Sequence, residues 1–362
     1  MSSWPDTRIL DLFGIGLPIL QAPMAGPNLH ELAVAVAQAG GLGALPCALL
    51  TAETVREQVA LFRQQLRAPL NLNFFCHHPP VPDPAREAAW RARLAPYYVE
   101  LGLDPAMPAP AGTRAPFDDA FCRVVEELRP EVVSFHFGLP EPTLLARVRA
   151  AGAKVISSAT TVAEARWLAE RGCDAIIAQG FEAGGHRGVF LQGEDISTQV
   201  GTFALVPQVV DAVDVPVIAA GGIADARGIA AAFALGAAAV QIGTAYLFCP
   251  EARVPAPHRA ALASLQAEDT ALTNLFTGRP ARGIVNRLMR EQGPMSASAP
   301  AFPLAGGALA PLRAASEPEG SGDFMSLWAG QAARLGRPMP AGELTRTLAA
   351  EALARMQGGG AA

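Results

Sequence analysis

The sequence has few aromatic residues and only scattered cysteines, and both shortages narrow the class of protein. Phe, Trp and Tyr make up 6% of the 362 residues, so aromatic platforms for stacking nucleic-acid bases are not expected. The formal net charge is −5 with no basic stripe, which argues against a nucleic-acid partner. The five cysteines contain no Cys-x-x-Cys pair, so we expect reduced thiols, with neither a metal site nor a disulfide framework.

Long apolar segments and a visible targeting signal are also missing. No apolar run is long enough to span a bilayer without Gly, Pro or polar interruptions. Residues 1–6 contain no basic region followed by an apolar core, so no signal peptide is predicted. We therefore expect a cytoplasmic protein without a membrane partner, present as a monomer or a homodimer.

The chain does contain a regular alternation of short apolar runs with longer helical patterns. Hydrophobic residues make up 51% of it, enough for a large core. The apolar runs predict strands at 18–24, 42–45, 70–75, 132–137, 154–159, 175–178, 215–220 and 239–244. Such nearly continuous runs are typical of parallel strands covered on both faces. This pattern predicts an α/β protein, a (β/α)8 TIM barrel. An open doubly wound sheet is the alternative, less favoured because ligand-type residues end at least five strands.

Two stretches exceed what a minimal barrel needs. Residues 76–116, rich in Pro, Arg and Ala, predict a helical excursion around residues 84–103. Residues 249–322 are rich in Pro, Ala and Gly, and they are expected to cover the barrel mouth as an insertion or lid. The predicted organisation is a cofactor-binding barrel over residues 1–248, this insertion, and C-terminal helices over residues 323–362 that return to the barrel wall.

The densest group of ligand-type residues is Ala178–Gly188, with the sequence AQGFEAGGHRG. It follows the predicted strand at residues 175–178, and parallel β/α proteins bind ligands at the C-terminal edge of their strands. Its glycines allow the backbone to approach a ligand closely. A plain surface turn does not need Gln, Glu, His and Arg together, so this stretch predicts a binding site.

Glycine-rich turns also follow the last two predicted barrel strands, at Gly221-Gly222 and at Gly243-Thr244. In TIM barrels the backbone N–H groups of these turns and a helix N-terminus commonly hold a phosphate. The hydroxyl of Thr244 can add a donor. Tight packing of strand against helix is the alternative, and the recurrence of the signal in both turns favours the phosphate.

Histidines supply the candidate catalytic groups. His136 ends the fourth predicted strand inside an apolar run. Such a residue is more often a core histidine, but its unperturbed pKa of about 6.5 also suits a general base. His186 is either a donor to a ligand or a loop residue bonded to backbone. His77 and His78 are adjacent and lack a third ligand, so a metal site is not predicted.

Several short motifs occur together in the order that characterises one enzyme family. The ordered set resembles the FMN-dependent nitronate monooxygenases, once called 2-nitropropane dioxygenases, over roughly residues 9–250, and Leu327–Gln331 resembles them as well. The motifs are Gln21–Met24, Asn73–Phe75, Ser134–Gly138, Ala178–Gly188, Ala220–Ile223 and Gln241–Thr244.

The resemblance implies FMN as the cofactor, with O2 and a small alkyl nitronate as substrates. It places the flavin ring beside Pro23 and Met24, with hydrogen bonds from Asn73 and Gln179. It makes His136 the catalytic base, which removes the α-proton of a nitroalkane, and His186 is the second catalytic candidate. It implies that the ribityl chain and phosphate are bound by Gly184, Gly185, Gly221, Gly222, Gln241, Gly243 and Thr244.

One position departs from the family pattern. Phe302 stands before Pro303 where family members often carry a tyrosine that faces the substrate, so the hydroxyl is lost here and substrate polarity is expected to differ.

The implied reaction oxidises an alkyl nitronate, such as propionate 3-nitronate, to a carbonyl compound and nitrite. The enzymatic alternatives are an NADH:quinone reductase and a flavin-dependent enoyl-thioester reductase. A flavin-binding protein without turnover is the non-enzymatic alternative. It is less favoured, because His136 and His186 would then have no catalytic role.

Overall fold

The computed structural model describes residues 4–108, 114–191, 193 and 195–358. Its strands, in chain order, are β1 (Ile19–Gln21), β2 (Gly43–Pro46), β3 (Leu70–Phe75), β4 (Val132–His136), β5 (Lys154–Ala159), β6 (Ala175–Gln179), β7 (Gly185–His186), β8 (Val217–Ala220), β9 (Ala239–Ile242), β10 (Thr270–Thr273) and β11 (Ala281–Ile284). The predicted barrel strands are all present, and the third and fifth have the predicted bounds.

Eight of these strands form one parallel sheet whose two ends meet. Its order is β1-β9-β8-β6-β5-β4-β3-β2. The N–H of Gln21 donates to the carbonyl of Leu42 over 3.0 Å, and the N–H of Leu42 donates to the carbonyl of Ile19 over 3.0 Å. Because these bonds join β1 to β2, the sheet curls into a nearly closed barrel. The prediction of an α/β TIM barrel is confirmed, and the open sheet is excluded.

The helices surround the barrel. Thr51 caps the N-terminus of α3, because its hydroxyl accepts from the N–H of Thr54 over 3.1 Å. None of the described helices is long and apolar enough to cross a membrane. They are α1 (Arg8–Phe13), α2 (His30–Gln38), α3 (Ala52–Gln65), α4 (Pro84–Glu100), α5 (Asp119–Leu128), α6 (Pro142–Ala150), α7 (Val162–Glu170), α8 (Thr202–Val210), α9 (Ala226–Ala234), α10 (Ala256–Ala263), α11 (Arg287–Gln292), α12 (Ala310–Ser316) and α13 (Ala341–Met356).

An apolar cluster fills the N-terminal end of the barrel. Ile9 and Phe13 of α1 pack there with strand residues such as Leu20, Val132 and Ile218. Since this end is filled by buried side chains, a ligand has room only at the opposite end, where the strands finish.

The helical excursion after β3 packs against the later insertion. The indole N–H of Trp90 on α4 donates to the carbonyl of Ala305 over 3.1 Å. The hydroxyl of Tyr98 donates to the carbonyl of Ala308 over 2.6 Å. Both aromatic residues share a buried cluster with Leu312. The sequence predicted two separate additions, and this pairing between them was missed because no local pattern encodes it.

A small antiparallel sheet, ordered β10-β11-β7, connects the glycine-rich stretch to the insertion. Ala281 pairs with His186 and Arg282 pairs with Gly185. Sequence reasoning missed this sheet, because β7 contains only two residues and is too short to show a period of alternation.

Candidate active site

A cavity of about 410 Å³ lies at the C-terminal ends of the barrel strands, within the range usual for small-molecule sites. The barrel strands bring the residues that the sequence singled out to this one place. The candidate catalytic and cofactor-binding residues all line the cavity: Pro23, Met24, Asn73, His136, Gln179, Gly184, Gly185, His186, Gly221, Gly222, Gln241, Gly243 and Thr244.

His136 lies at the end of β4 and both of its ring nitrogens have partners. Nδ1 lies 2.9 Å from the Oγ atom of Ser158 on β5. Nε2 lies 3.2 Å from the carbonyl oxygen of His186. A carbonyl only accepts, so Nε2 carries the hydrogen and Nδ1 accepts from the Ser158 hydroxyl when the ring is neutral.

Burial keeps the His136 ring neutral. Desolvation is the main cause that lowers the pKa of His136 to about 3, and the charges of Arg279 and Arg187 lower it further, against a hydrogen bond to His186 that raises it. The expectation of a base with an ordinary histidine pKa is therefore not met by this geometry. The ring is unprotonated at neutral pH, as a base must be, but its basicity is weak.

The backbone around His136 is shaped to hold the ring. Phe137, the next residue, has a φ of 69°, a conformation that bulky residues rarely adopt and that concentrates at functional sites. A Cβ atom on Gly188 would lie 3.0 Å from Cε1 of His136. Gly188 therefore leaves the space that the imidazole occupies.

His186 contacts Thr277 of the insertion on one side and the rings of Phe75 and Trp328 on the other. Its Nε2 lies 3.0 Å from the Oγ1 atom of Thr277. Its ring centroid lies 5.9 Å from that of Phe75 and 5.7 Å from that of Trp328. Burial lowers the pKa of His186 well below its usual value, and the nearby charge of Arg114 adds to that, so the ring is neutral.

Phe302 lies behind the cavity wall and does not face into the cavity. Its ring packs edge-on against His77 at 4.7 Å and against His186 at 5.3 Å, and its side chain is buried. The position predicted to face the substrate is thus a packing position here.

The adjacent histidines differ in their surroundings. Burial lowers the pKa of His77 to about 4, with a further contribution from Arg279, while His78 is exposed.

The side chains of Gln179 and Arg187 hold the glycine-rich stretch in place. The Gln179 amide donates to the carbonyl of His186 over 2.9 Å and accepts from the N–H of Gly188 over 2.8 Å. Arg187 is buried and donates to the carbonyl of Gln179 over 2.8 Å. Sequence reasoning gave Gln179 to the flavin. The structure shows that Gln179 fixes the loop, and one amide hydrogen and one lone pair are left for a ligand.

The turns after β8 and β9 have the geometry of a cradle. Gly221 and Gly222 have φ angles of 109° and 69°, which glycine adopts without cost. A Cβ atom on Gly243 would lie 3.3 Å from the Cβ atom of Ala22. The hydroxyl of Thr244 accepts from the N–H of Gly330 over 2.9 Å and keeps its own hydrogen for a ligand.

Gly184 has a packing role that the sequence did not predict. A Cβ atom there would lie 2.6 Å from the nitrogen of Gly330, so the residue is small because the chain at Ala329–Gly330 passes across it. Asn73 is likewise tied to its neighbour, since its amide donates to the Ser134 hydroxyl over 3.0 Å.

The residues present fit FMN. The Oε1 atom of Gln241 is buried without a hydrogen-bond partner among the described residues, and an unsatisfied buried carbonyl oxygen costs about 1–3 kcal/mol. A hydroxyl of a ribityl chain is the kind of donor that satisfies it. The two glycine turns present backbone N–H groups of the kind that bind phosphate.

The sequence as a whole matches one family. The family model of nitronate monooxygenase matches residues 6–351. The chain belongs to the nitronate monooxygenase family. A nitronate monooxygenase of Pseudomonas aeruginosa is 43% identical over 95% of this chain and 98% of its own length. One of Paraburkholderia phytofirmans is 42% identical over 95% of this chain and 94% of its own length. The family resemblance inferred from the ordered motifs is confirmed.

Solved structures agree with this assignment. The structure of nitroalkane oxidase from Streptomyces ansochromogenes superposes with a TM-score of 0.88 at 42% identity, covering 97% of this chain and 99% of that one. FabK from Thermotoga maritima superposes with a TM-score of 0.74 at 28% identity, covering 98% of each chain. The nitronate monooxygenase family members are thus closer to this chain in sequence than FabK is.

Proposed function

We propose that the protein binds FMN and oxidises small alkyl nitronates with O2 to a carbonyl compound and nitrite. The observation that carries this proposal is the convergence of all the candidate catalytic and cofactor-binding residues on one cavity, in a chain that belongs to the nitronate monooxygenase family. Propionate 3-nitronate is the substrate type that we put forward.

FMN would be held by residues from several strand ends. Pro23 and Met24 would contact the ring, and Asn73 and Gln179 would offer amide groups to it. When bound, FMN supplies the electron-transfer chemistry and the reaction with O2. The ribityl chain and phosphate would be held by Gln241, Gly221, Gly222, Gly243 and Thr244, with Gly184 and Gly185 beside them.

The chain itself would orient the substrate and handle the proton. The rings of Phe75 and His186, whose centroids lie 5.9 Å apart, give one side of the cavity an aromatic surface against which an alkyl chain can pack. A neutral nitroalkane still carries its α-proton. The Nδ1 atom of His136 carries the lone pair that can accept this proton. Because the Ser158 hydroxyl occupies Nδ1, the proton either displaces that hydroxyl or passes through it. A nitronate has already lost this proton and needs no such step.

The deciding experiment measures nitrite. Purified flavin-loaded protein is mixed with propyl-1-nitronate in air, and nitrite release and O2 uptake are followed together, with NADH and a quinone in a parallel reaction. We expect nitrite release without NADH consumption. NADH consumption with quinone and no nitrite would instead favour the reductase alternative, and neither activity would favour a flavin-binding protein.

Three further points remain proposals. We put forward a cytoplasmic location, and a monomeric or homodimeric state that light scattering would distinguish. We also put forward residues 249–322 as a cover over the barrel mouth, supported by the pairing of β11 with β7 and by His258, which lines the cavity from α10.

A further inference from the structure

Arg114 is a cation in the cavity wall for which the described part of the chain offers no carboxylate partner. It lines the same cavity as His136 and His186, and its side chain is half-buried. Desolvation lowers the pKa of Arg114, and no acidic group contributes to that shift. Across residues 4–108, 114–191, 193 and 195–358, no carboxylate forms an ion pair with it. A cation withdrawn from water without a counter-charge is costly, and an anionic ligand relieves that cost.

Other arginines near the cavity already have partners. Arg253 pairs with Glu31, and Arg313 pairs with Glu317 at 2.9 Å. The guanidinium of Arg279 stacks on the ring of Phe137 at 4.1 Å and donates to the carbonyl of Val189 over 2.9 Å. Arg114 therefore differs from its neighbours, because its guanidinium has no hydrogen-bond or ion-pair partner among the residues that the structure describes.

Arg114 lies at the histidine end of the cavity. Its charge lowers the pKa values of His186 and His77, so it lies within electrostatic range of both rings. The charge thus faces the part of the cavity where the candidate catalytic residues lie.

We infer that Arg114 binds the planar two-oxygen anion of the substrate and makes the cavity prefer anionic substrates to neutral ones. This inference rests on the proposed function. The anion is either the nitronate group itself or a carboxylate on the alkyl chain, and both present two oxygens in one plane. The planar fork of a guanidinium matches such a pair with two parallel hydrogen bonds.

Turnover of three substrates tests the inference. Propyl-1-nitronate, propionate 3-nitronate and neutral 1-nitropropane are compared in wild type, Arg114→Met and Arg114→Lys. Arg114→Met keeps length and removes charge, so we expect kcat/KM for an anionic substrate to fall about 10- to 150-fold, mainly through KM. The neutral substrate should change less than about threefold, within the error of such comparisons. Arg114→Lys should restore part of the loss.

The pattern of losses identifies the anion. Losses on both nitronates mean that Arg114 binds the nitronate group. A loss confined to propionate 3-nitronate means that it binds the carboxylate. Equal losses on the neutral and anionic substrates, or no loss at all, overturn the inference. Arg287→Met is the matched control, because Arg287 is a half-buried arginine outside the cavity whose charge is balanced by Glu100 at 2.6 Å.

Binding without turnover separates this inference from the proposed function. Titration calorimetry of the holoenzyme compares propionate with its neutral counterpart propionamide. Wild type should bind propionate more tightly, and Arg114→Met should lose that difference while keeping its flavin content and thermal midpoint. If wild type releases no nitrite yet shows this difference, the proposed function fails and the anion site stands. If propionate and propionamide bind wild type equally, the anion site fails whatever the activity.

Discussion

The Nδ1 atom of His136 lies 2.9 Å from the hydroxyl oxygen of Ser158, across the junction of β4 and β5. The two residues occupy neighbouring parallel strands. The register pairs Phe135 with Ser157, so His136 and Ser158, each one residue further along its strand, lie side by side. Ser158 also lines the cavity. The only lone pair of the neutral His136 ring therefore meets the cavity through a hydroxyl group, which makes Ser158 part of any proton route.

Replacing His136 should affect neutral substrates most. His136→Asn removes the basic lone pair and keeps polarity, so turnover of 1-nitropropane should fall by about 10²–10⁴, the usual worth of a positioned base. Turnover of propyl-1-nitronate, which has no proton to remove, should fall much less. Steady-state kinetics on both substrates measure the difference, with His258→Asn as the control, because His258 is also a buried histidine in the cavity wall.

Equal losses on both substrates would mean that His136 binds the anion or shapes the site. The pH profile gives a second check. Because the pKa of His136 is about 3, the base is already unprotonated above about pH 5, and kcat/KM for the neutral substrate should show no histidine-like rise between about pH 5 and pH 8. A limb near the usual histidine pKa would show that the cofactor or substrate changes the environment of the ring.

A methyl group at position 188 should disturb His136 without touching its chemistry. The Cβ atom of Gly188→Ala would lie 3.0 Å from the imidazole and 3.1 Å from the Cβ atom of Ser158, tighter than most real Cβ contacts, so the ring or the backbone must shift by a few tenths of an ångström. We expect the neutral-substrate activity to fall about tenfold or more, as for other small displacements of catalytic groups. Gly193→Ala is the control in the same segment, since a Cβ atom there meets nothing within 4 Å. Unchanged activity in Gly188→Ala would show that the ring can move freely.

The phosphate position can be tested at Gly222 with an isosteric pair. Asp and Asn tolerate the left-handed backbone there better than other residues, and both place a Cβ atom 3.2 Å from the Cβ atom of Glu182. They differ only in charge, so Gly222→Asp should repel a phosphate that Gly222→Asn still accepts. We expect much lower flavin absorbance per protein in Gly222→Asp. Equal flavin contents in the two variants would mean that the phosphate lies elsewhere.

The sequence revealed the strands and the edge at which they meet, because each of these features is local. β3 and β5 could be bounded from their apolar runs, and His136 could be placed at a strand end. Pairings across the chain could not be read in this way. The hydrogen bond from Tyr98 to Ala308 joins residues separated by 210 positions, and the pKa of His136 depends on burial by many segments. Ser158 carried a local signal, since Ser157-Ser158 interrupts an apolar strand, and parallel pairing with the fourth strand would have brought it beside His136.

The insertion should depend on the helical excursion for its stability. Its aromatic and aliphatic residues share one buried cluster with Trp90, Leu94 and Tyr98 of α4. Residues 249–322 expressed alone would expose that surface, so we expect no cooperative thermal transition by circular dichroism. In the whole protein, Tyr98→Phe removes the hydrogen bond to the carbonyl of Ala308 and should lower the free energy of unfolding by about 0.5–1.5 kcal/mol. A cooperative transition in the isolated fragment would contradict the dependence.

Acid should destabilise the protein through its buried histidines. Burial lowers the pKa values of His77 and His258 to about 4 and that of His136 to about 3, whereas an unfolded histidine titrates near about 6.5. Between these values the unfolded chain binds more protons than the folded one, so the free energy of unfolding rises with pH there and falls on acidification. Each such histidine contributes at most about 1.4 kcal/mol per pH unit. Urea unfolding at about pH 7 and about pH 5 measures this slope.

A single substitution isolates one histidine's share of that slope. His258→Gln cannot titrate, so its free energy of unfolding should fall less between the two pH values than that of wild type, even if the variant is less stable at both. His78→Gln is the matched control, because His78 is exposed and its replacement removes a histidine without altering the core. If His258→Gln keeps the full wild-type slope, the buried ring is already accessible to protons in the folded protein.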